Sequence, residues 1–488
     1  MTADVASHKN WVDEGLKLLI LWGGFLAILG LGILTVGGDN YMIAGLLLAL
    51  LLALICVLTS VRMLAFIWVF GVPTFFVFAN NIMVSIPFAT AGRIVFFAML
   101  LGVVGAMLMR RGSKAPFSPV EGWALVFLGL GAASITLNSG SRPADKIGPD
   151  TALLIQGYLI PFLGFYVMRR FSWTSGLAKG LCITLMAAGA VLGIVGGVQV
   201  FAGVNILEAS WGEVLSAHEG RAYGPFSNAT ELGAVCLFSM LVGLLMLRRV
   251  SGGLSRVALF GLIGLSFVGV VTCQTRAVWL AGIVALGFLF LGDPKSRRTL
   301  ISLGALGAAA IALYLPVLLS SDVFRERIME VSPILNRLAS TATAMSVIGD
   351  NPLFGVGWGR DTFQEAKQGH YADWGDISGA WAVDVGPPHN EWLHVAAMLG
   401  IPGLIVLLVV WALLWRRLAR VTRDKTQPVF NREFATYAQA LIVATLAMSL
   451  FVDLGFFLYF VAAAWMFAGL AVALSEQTSA VGREGHAA

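Results

Sequence analysis

The stretch Pro387-Pro-His389-Asn390-Glu-Trp-Leu-His-Val-Ala-Ala-Met-Leu-Gly400-Ile-Pro-Gly403, continued by the apolar run from Leu404 to Trp415, decides how the chain is read. A long, polar loop ends here and re-enters a segment apolar enough to cross a bilayer. The two prolines read as an extended lead-in followed by a helix start. His389 therefore stands where a polar loop meets the membrane surface. A histidine before a helix N-terminus feels the positive end of the backbone dipole, which disfavours its cation. A neutral imidazole at that place is able to accept a proton from a hydroxyl group.

Outward from this stretch the rest of the chain is of one kind. Its 488 residues are 58% hydrophobic and only 12% charged, with a mean hydropathy of +0.84. Such a chain has too little polar surface to cover a soluble core. Apolar runs near the roughly twenty residues needed to cross about 30 Å of hydrocarbon recur throughout. The expectation is an all-α, polytopic transmembrane helical bundle of about 12–14 spans. They are placed near 18–36, 41–60, 63–79, 93–109, 121–138, 151–168, 176–202, 229–247, 257–273, 276–292, 299–318, 391–415, 434–453 and 456–474. The first apolar run lacks a small-residue cleavage site and reads as a retained span. The formal net charge of +5 does not point to nucleic acid. The basic residues sit in short clusters between spans, such as Arg110-Arg111, Arg169-Arg170, Arg248-Arg249 and Arg416-Arg417. That distribution sets membrane orientation and puts both termini in the cytoplasm. The four cysteines, Cys56, Cys182, Cys236 and Cys273, all lie in or beside apolar segments, so neither a disulfide framework nor a metal cluster is expected.

The organisation expected is a transmembrane bundle over 1–318, a large non-cytoplasmic loop over 319–390, C-terminal spans over 391–474 and a cytoplasmic tail over 475–488. A second outer loop near 203–228 holds Arg221 within Glu219-Gly-Arg-Ala-Tyr-Gly-Pro-Phe-Ser-Asn-Ala229. Gly220, Gly224, Pro225 and Asn228 suggest a tight, ordered turn around that arginine. Arg276 lies between two apolar runs with almost no loop. An arginine at that depth either snorkels, pairs with an acid such as Asp453, or faces a cavity. Its fork of donors suits phosphate oxygens. Within the large loop, Ser332 to Ile348 has helical spacing, with Ile334, Leu335, Leu338, Met345 and Ile348 as the expected apolar stripe. The helix so formed would lie on the membrane or pack over the bundle. Trp358, Trp374, Trp381 and Trp392 read as sugar-stacking or interfacial aromatics.

Other chemistries fit poorly. His389 and His394 are five residues apart, about 140° around a helix, so they do not form the His-Glu-x-x-His pair of zinc proteases. The glycine-rich Asp350-Asn-Pro-Leu-Phe-Gly-Val-Gly-Trp-Gly359 lacks the lysine and hydroxyl residue of a Walker loop and reads as a turn. No chain of acids and histidines crosses the spans, as a proton-coupled transporter would need.

His389-Asn390, a nine-residue gap and Gly400-x-x-Gly403 together resemble the signature of the bacterial O-antigen ligase and O-antigen polymerase superfamily. Three further segments resemble that family in the expected order. They are Arg221 ahead of a Gly-x-Phe-Ser-Asn turn, Arg276 in a Thr-Arg-small-x-Leu span start, and Asn351-Pro-Leu-x-Gly-x-Gly. The resemblance implies a glycosyltransferase of the bacterial inner membrane with a periplasmic active site and no cofactor. Its donor would be an undecaprenyl-diphosphate-linked glycan; its acceptor would be lipid A-core, or a second lipid-linked glycan in a polymerase. Polysaccharide-assembly proteins are possible partners; nucleic acid is not. Implied roles are catalytic base for His389, diphosphate binding for Arg221 and Arg276, and support for Asn390 and Trp392. Polymerases of the family often carry an acid where this chain has Met398. A protein O-oligosaccharyltransferase and a lipid-linked glycan transporter are the other readings held open.

Overall fold

The computed structural model describes residues 61–74, 90–108, 115–138, 144–204, 220–226, 228–302, 332–359, 362–367 and 388–487, with a few isolated positions between them. The expected spans 18–36 and 41–60, most of 299–318, and Cys56, Trp374 and Trp381 lie outside the described residues. The described elements are α1 (Val61–Thr74), α2 (Ala91–Leu108), α3 (Pro119–Asn138), α4 (Ala144–Leu154), α5 (Ile160–Arg170), α6 (Ser175–Ala202) and α7 (Ala229–Leu247). After them come α8 (Gly253–Thr272), α9 (Arg276–Gly292), α10 (Ser332–Asp350), α11 (Thr362–Ala366), α12 (Glu391–Arg423), α13 (Val429–Ser449) and α14 (Leu458–Ala487). A π-helical turn, Ile155–Leu159, joins α4 to α5. The described residues contain helices and no strand, and 8 of the helices are long and apolar enough to cross a membrane. The protein is a polytopic, all-α membrane protein.

Burial orders the bundle. In α7 and α14, 89% of the apolar window is covered by protein, against 28% in α3 and α8. The first two form the centre. The others turn Leu125, Leu137, Val257 and Phe260 outward, where acyl chains replace protein as the apolar solvent. Close approach between central helices rests on small residues, since lipid offers no hydrophobic drive for helix association. Gly189, Gly193 and Gly196 lie on one face of α6. A Cβ on Gly193 would stand 1.8 Å from the Leu265 carbonyl oxygen of α8, and one on Gly189 would stand 2.3 Å from Ser239 Cβ of α7.

One end of the bundle carries buried charge. Arg169 contacts Glu121 at 3.2 Å and Glu476 at 2.9 Å, and Arg170 contacts Glu121 at 2.6 Å. Arg417 joins Glu476, while Arg248 and Arg249 both reach Glu433. Among the described residues, these contacts therefore bring Arg169, Arg170, Arg248, Arg249 and Arg417 to one end of the bundle.

The expected single span over 391–415 is two pieces. Gly400 has φ 70° and ψ −178°, which interrupts α12, a conformation open essentially to glycine. A short helix, 391–399, precedes the break and the span itself follows it. At the break Ile401 leaves the usual helical pattern and Pro402 has no amide to offer. The loop before α11 supplies what is missing. The Val356 amide donates to the Ala397 carbonyl (2.8 Å), the Gly357 amide donates to the Met398 carbonyl (3.1 Å), and the Ile401 amide donates to the Pro352 carbonyl (2.8 Å). Backbone groups freed inside an apolar protein must find such partners.

Candidate functional site

The nine-residue gap in the His389 motif acquires a physical meaning here. Asn390 is the N-cap of α12: its Oδ1 accepts from the amides of Trp392 (3.0 Å) and Leu393 (3.2 Å). Its Nδ2 donates to the Leu450 carbonyl at 3.3 Å. Gly400 ends the segment, so the gap is a helix of about two and a half turns between a capping residue and a glycine stop. Gly403 completes the joint, because a Cβ there would lie 2.3 Å from Leu399 Cβ. Both glycines of the Gly-x-x-Gly are thus required by packing.

His389 precedes the cap with φ 46°, a left-handed conformation that costs a non-glycine residue about 1–2 kcal/mol. Its side chain is exposed at the end of the bundle. Loss of bulk water around the ring lowers its pKa below the ordinary 6.5. Asp453 opposes that shift, while Arg337 and His394 add to it. The imidazole is held towards its neutral, proton-accepting form.

Beneath His389 lies a buried polar set. His394 Nδ1 faces Asp453 Oδ1 at 3.6 Å, and both residues are buried. The Tyr158 hydroxyl donates to Glu391, whose other oxygen accepts from the Leu454 amide at 2.7 Å. Asp453 pairs with His394 rather than with Arg276.

The arginines come from two turns that are tied together. The Ala222 amide donates to the Thr272 carbonyl at 3.0 Å, and Gln274 Nε2 donates to the Gly220 carbonyl at 2.7 Å. Gln199 Oε1 accepts from the amides of Tyr223 (3.1 Å) and Gly224 (3.0 Å), which fixes the Arg221 turn on α6. Gln274, like His389, has a positive φ (45°). It reverses the chain so that Arg276 opens α9 with an exposed side chain. A cation at a helix N-terminus is unfavourable for the helix itself, and the same place favours an anion.

Further bonds join these turns to the His389 region. Glu231 Oε1, in the first turn of α7, accepts from the Tyr459 amide at 2.8 Å, and the same 450–459 segment holds Asn390 and Glu391. Helices α7, α9 and α12 each begin at this end and finish at the buried basic network. In α9, whose end leads to Asp293 beside Arg248, that separation is about 25 Å for 17 residues. Arg221, Arg276, His389 and Asn390 therefore occupy the same end of the bundle. Trp392 is half-buried against the core, its amide held by Asn390.

Trp358 is not available to a sugar. It is fully buried, packed edge-on to Tyr158 and Phe127, and its indole N–H donates to the Asp150 carbonyl at 3.2 Å. Helix α10 packs over the bundle, with a buried face of Ser340, Thr343, Ala344 and Val347. Leu338 and Met345, expected in the apolar stripe, are exposed. Small and hydroxyl residues let α10 lie close to α12, and hydropathy alone could not rank them above leucine and methionine. Arg337, His394 and Asp453 are the neighbours of His389 that sequence reading did not assign to it. No spacing rule links them, because they sit on three separate elements.

Residues 260–408 match a family model described as O-antigen ligase. No curated protein matches the chain. The matched region runs from α8 through Arg276, α10, the glycine-rich turn and His389 into the second piece of α12, and over this part the chain is similar to the O-antigen ligase family.

Proposed function

We propose that the chain transfers a glycan from an undecaprenyl-diphosphate carrier to an acceptor hydroxyl at the periplasmic face of the inner membrane, with lipid A-core as acceptor in the manner of an O-antigen ligase. The observation that carries this reading is the gathering of two hydrogen-bonded arginine turns and a left-handed histidine at the end opposite the buried basic network. The positive-inside rule puts the basic network in the cytoplasm and His389 outside. No nucleotide sugar is needed there, because a sugar–diphosphate bond carries the driving force.

In the reaction proposed, His389 takes the proton of the acceptor hydroxyl as its oxygen attacks the anomeric carbon. The bond from that carbon to the diphosphate oxygen breaks, and its electron pair leaves with the diphosphate. Arg221 and Arg276 stabilise the charge that grows there, and no metal is required. Attack opposite the leaving group inverts the anomeric configuration. Asn390 contributes by capping the helix that presents His389.

The test is transfer in lipid, using purified protein and a radiolabelled undecaprenyl-diphosphate glycan with and without lipid A-core. Product that requires lipid A-core and disappears in His389→Ala supports the ligase reading. Lengthened lipid-linked glycan without lipid A-core assigns a polymerase instead. Donor binding with no product from any hydroxyl acceptor, peptide serines included, assigns a transporter and overturns the catalytic role of His389.

A further inference from the structure

Glu391, the acid directly after His389-Asn390, is 1% exposed and takes no part in the steps above. A carboxyl group that deep in an apolar bundle is costly unless its oxygens are satisfied. Here each oxygen has a donor. The Tyr158 hydroxyl donates to Oε1, and the Leu454 amide donates to Oε2 at 2.7 Å. An acid in the first turn of a helix is favoured by the dipole alone, but that effect needs neither burial nor a tyrosine from another element.

Both donors belong to built features. Tyr158 sits in the π-turn Ile155–Leu159, where the Ile160 amide bonds back to the Ile155 carbonyl. Turns of this kind are rare and occur often at functional sites. Gly157 lets the π-turn lie directly on Gly455, since a Cβ there would stand 2.4 Å from the Gly455 Cα. Leu454 and Gly455 lie in the connection between α13 and α14. The same connection meets the start of α12 again through Asn390 Nδ2, which donates to the Leu450 carbonyl at 3.3 Å. It meets it once more at His394, whose ring stacks on Phe456 with planes 8° apart and whose Nδ1 is 3.6 Å from Asp453. Glu391 thus ties three elements together: α12, the π-turn and the α13–α14 connection.

The residue that gains from this is His389. Its φ of 46° is a conformation that a non-glycine residue keeps only where its surroundings over-determine it. The next two residues, Asn390 and Glu391, are each bonded to the α13–α14 connection. The backbone that leaves His389 is therefore pinned twice within two residues.

Resting on the reading of His389 as the base, we propose that Glu391 is a positioning residue for the transfer reaction. Through Tyr158 and the Leu454 amide it holds His389 in the left-handed conformation that presents the imidazole to the acceptor hydroxyl.

Transfer kinetics and amide hydrogen exchange on the full chain in lipid nanodiscs decide this. The substrates are the undecaprenyl-diphosphate glycan and the acceptor that the wild type uses. Wild type, Glu391→Gln, Tyr158→Phe and His389→Ala are compared per folded molecule. The control is Ser239→Ala, which breaks a buried hydroxyl pair with Ser266 (2.9 Å) midway along α7. Glu391→Gln turns an amide donor towards one of the two donors, and kcat is expected to fall about 100-fold with donor KM unchanged. Tyr158→Phe leaves the Leu454 bond and is expected to lose about tenfold in kcat, while Ser239→Ala keeps the wild-type value. Exchange at residues 390–394 and at the Leu454 amide is expected to quicken in Glu391→Gln. Wild-type kcat or unchanged exchange in Glu391→Gln, a loss confined to donor KM, or an equal kcat loss in Ser239→Ala overturns the positioning role and leaves His389 as the base. Should Glu391→Gln fail to fold, Tyr158→Phe decides by the same readings. Transfer retained by His389→Ala, or absent from the wild type with every acceptor, overturns the reading of the base itself, and the role of Glu391 falls with it.

Discussion

His389 combines a positive φ with a pKa shifted towards the neutral base, and these two properties make separable predictions. Replacing it by alanine keeps the left-handed strain and removes the base; replacing it by glycine removes both. Both variants are expected to lose transfer, but His389→Gly should be more stable than His389→Ala by about 1 kcal/mol, as read from thermal unfolding in detergent. Equal stabilities would mean that the left-handed backbone at His389 carries no strain. The pH profile has a defined sign. With the His389 pKa lowered from 6.5, the base form persists above the depressed value, so activity should fall only as pH drops below the ordinary histidine range. Protonation disfavours the folded environment, so any stability linked to this residue is lost on the same acidic side. Asp453→Asn removes the group that opposes the shift and should move the acidic limb of the profile lower still.

At the level of elements, the Asn351–Gly357 turn and the Gly400-x-x-Gly403 segment are the halves of one joint. Gly355 has φ 65°, and a Cβ on it would stand 2.4 Å from the Met398 carbonyl carbon; Gly400 has φ 70°, and a Cβ would stand 2.5 Å from the Leu353 carbonyl carbon. Gly355→Ala and Gly400→Ala should each destabilise the protein by about 2 kcal/mol or more through backbone strain and the forced separation of the turn from α12. Because either one opens the same joint, the double variant should lose much less than the sum. Full additivity, measured by thermal unfolding, would show that the turn and the kink are independent. Cleavage between residues 351 and 357 by added protease reports the opening directly.

For the whole molecule, the site and the buried ion network are at opposite ends of the same helices. Glu121 is buried between Arg169 and Arg170 and also accepts from the Ser118 amide at 2.7 Å. Glu121→Gln leaves two guanidinium groups without their shared carboxylate, and breaking a buried pair in this way costs about 3–5 kcal/mol. Thermal stability should fall accordingly, whereas transfer per folded molecule should remain at the wild-type level, since the site lies at the other end of the bundle, about 25 Å away along α9. A matched loss of turnover in protein shown to be folded would mean that the two ends are coupled.

The sequence by itself determined that this is a many-span helical membrane protein, because apolar length and the placement of arginines are one-dimensional signals that the bilayer reads directly. Arg221, Arg276 and His389 stand out in the sequence as candidates, each by its setting within a few residues, and only the fold gathers them at one end of the bundle. Tertiary structure decided the rest. Whether α10 buries Ala344 and Val347 or Leu338 and Met345 depends on how closely it approaches α12, which hydropathy does not encode. That Gly400 divides a span, that Asn351 to Gly357 fills the break, and that Trp358 belongs to the core follow from main-chain groups needing partners inside an apolar bundle. At the Gly400 break those partners come from residues about forty to fifty positions away in the chain, and for Trp358 from Ser134 and Asp150 on α3 and α4; only the fold brings them within hydrogen-bonding distance.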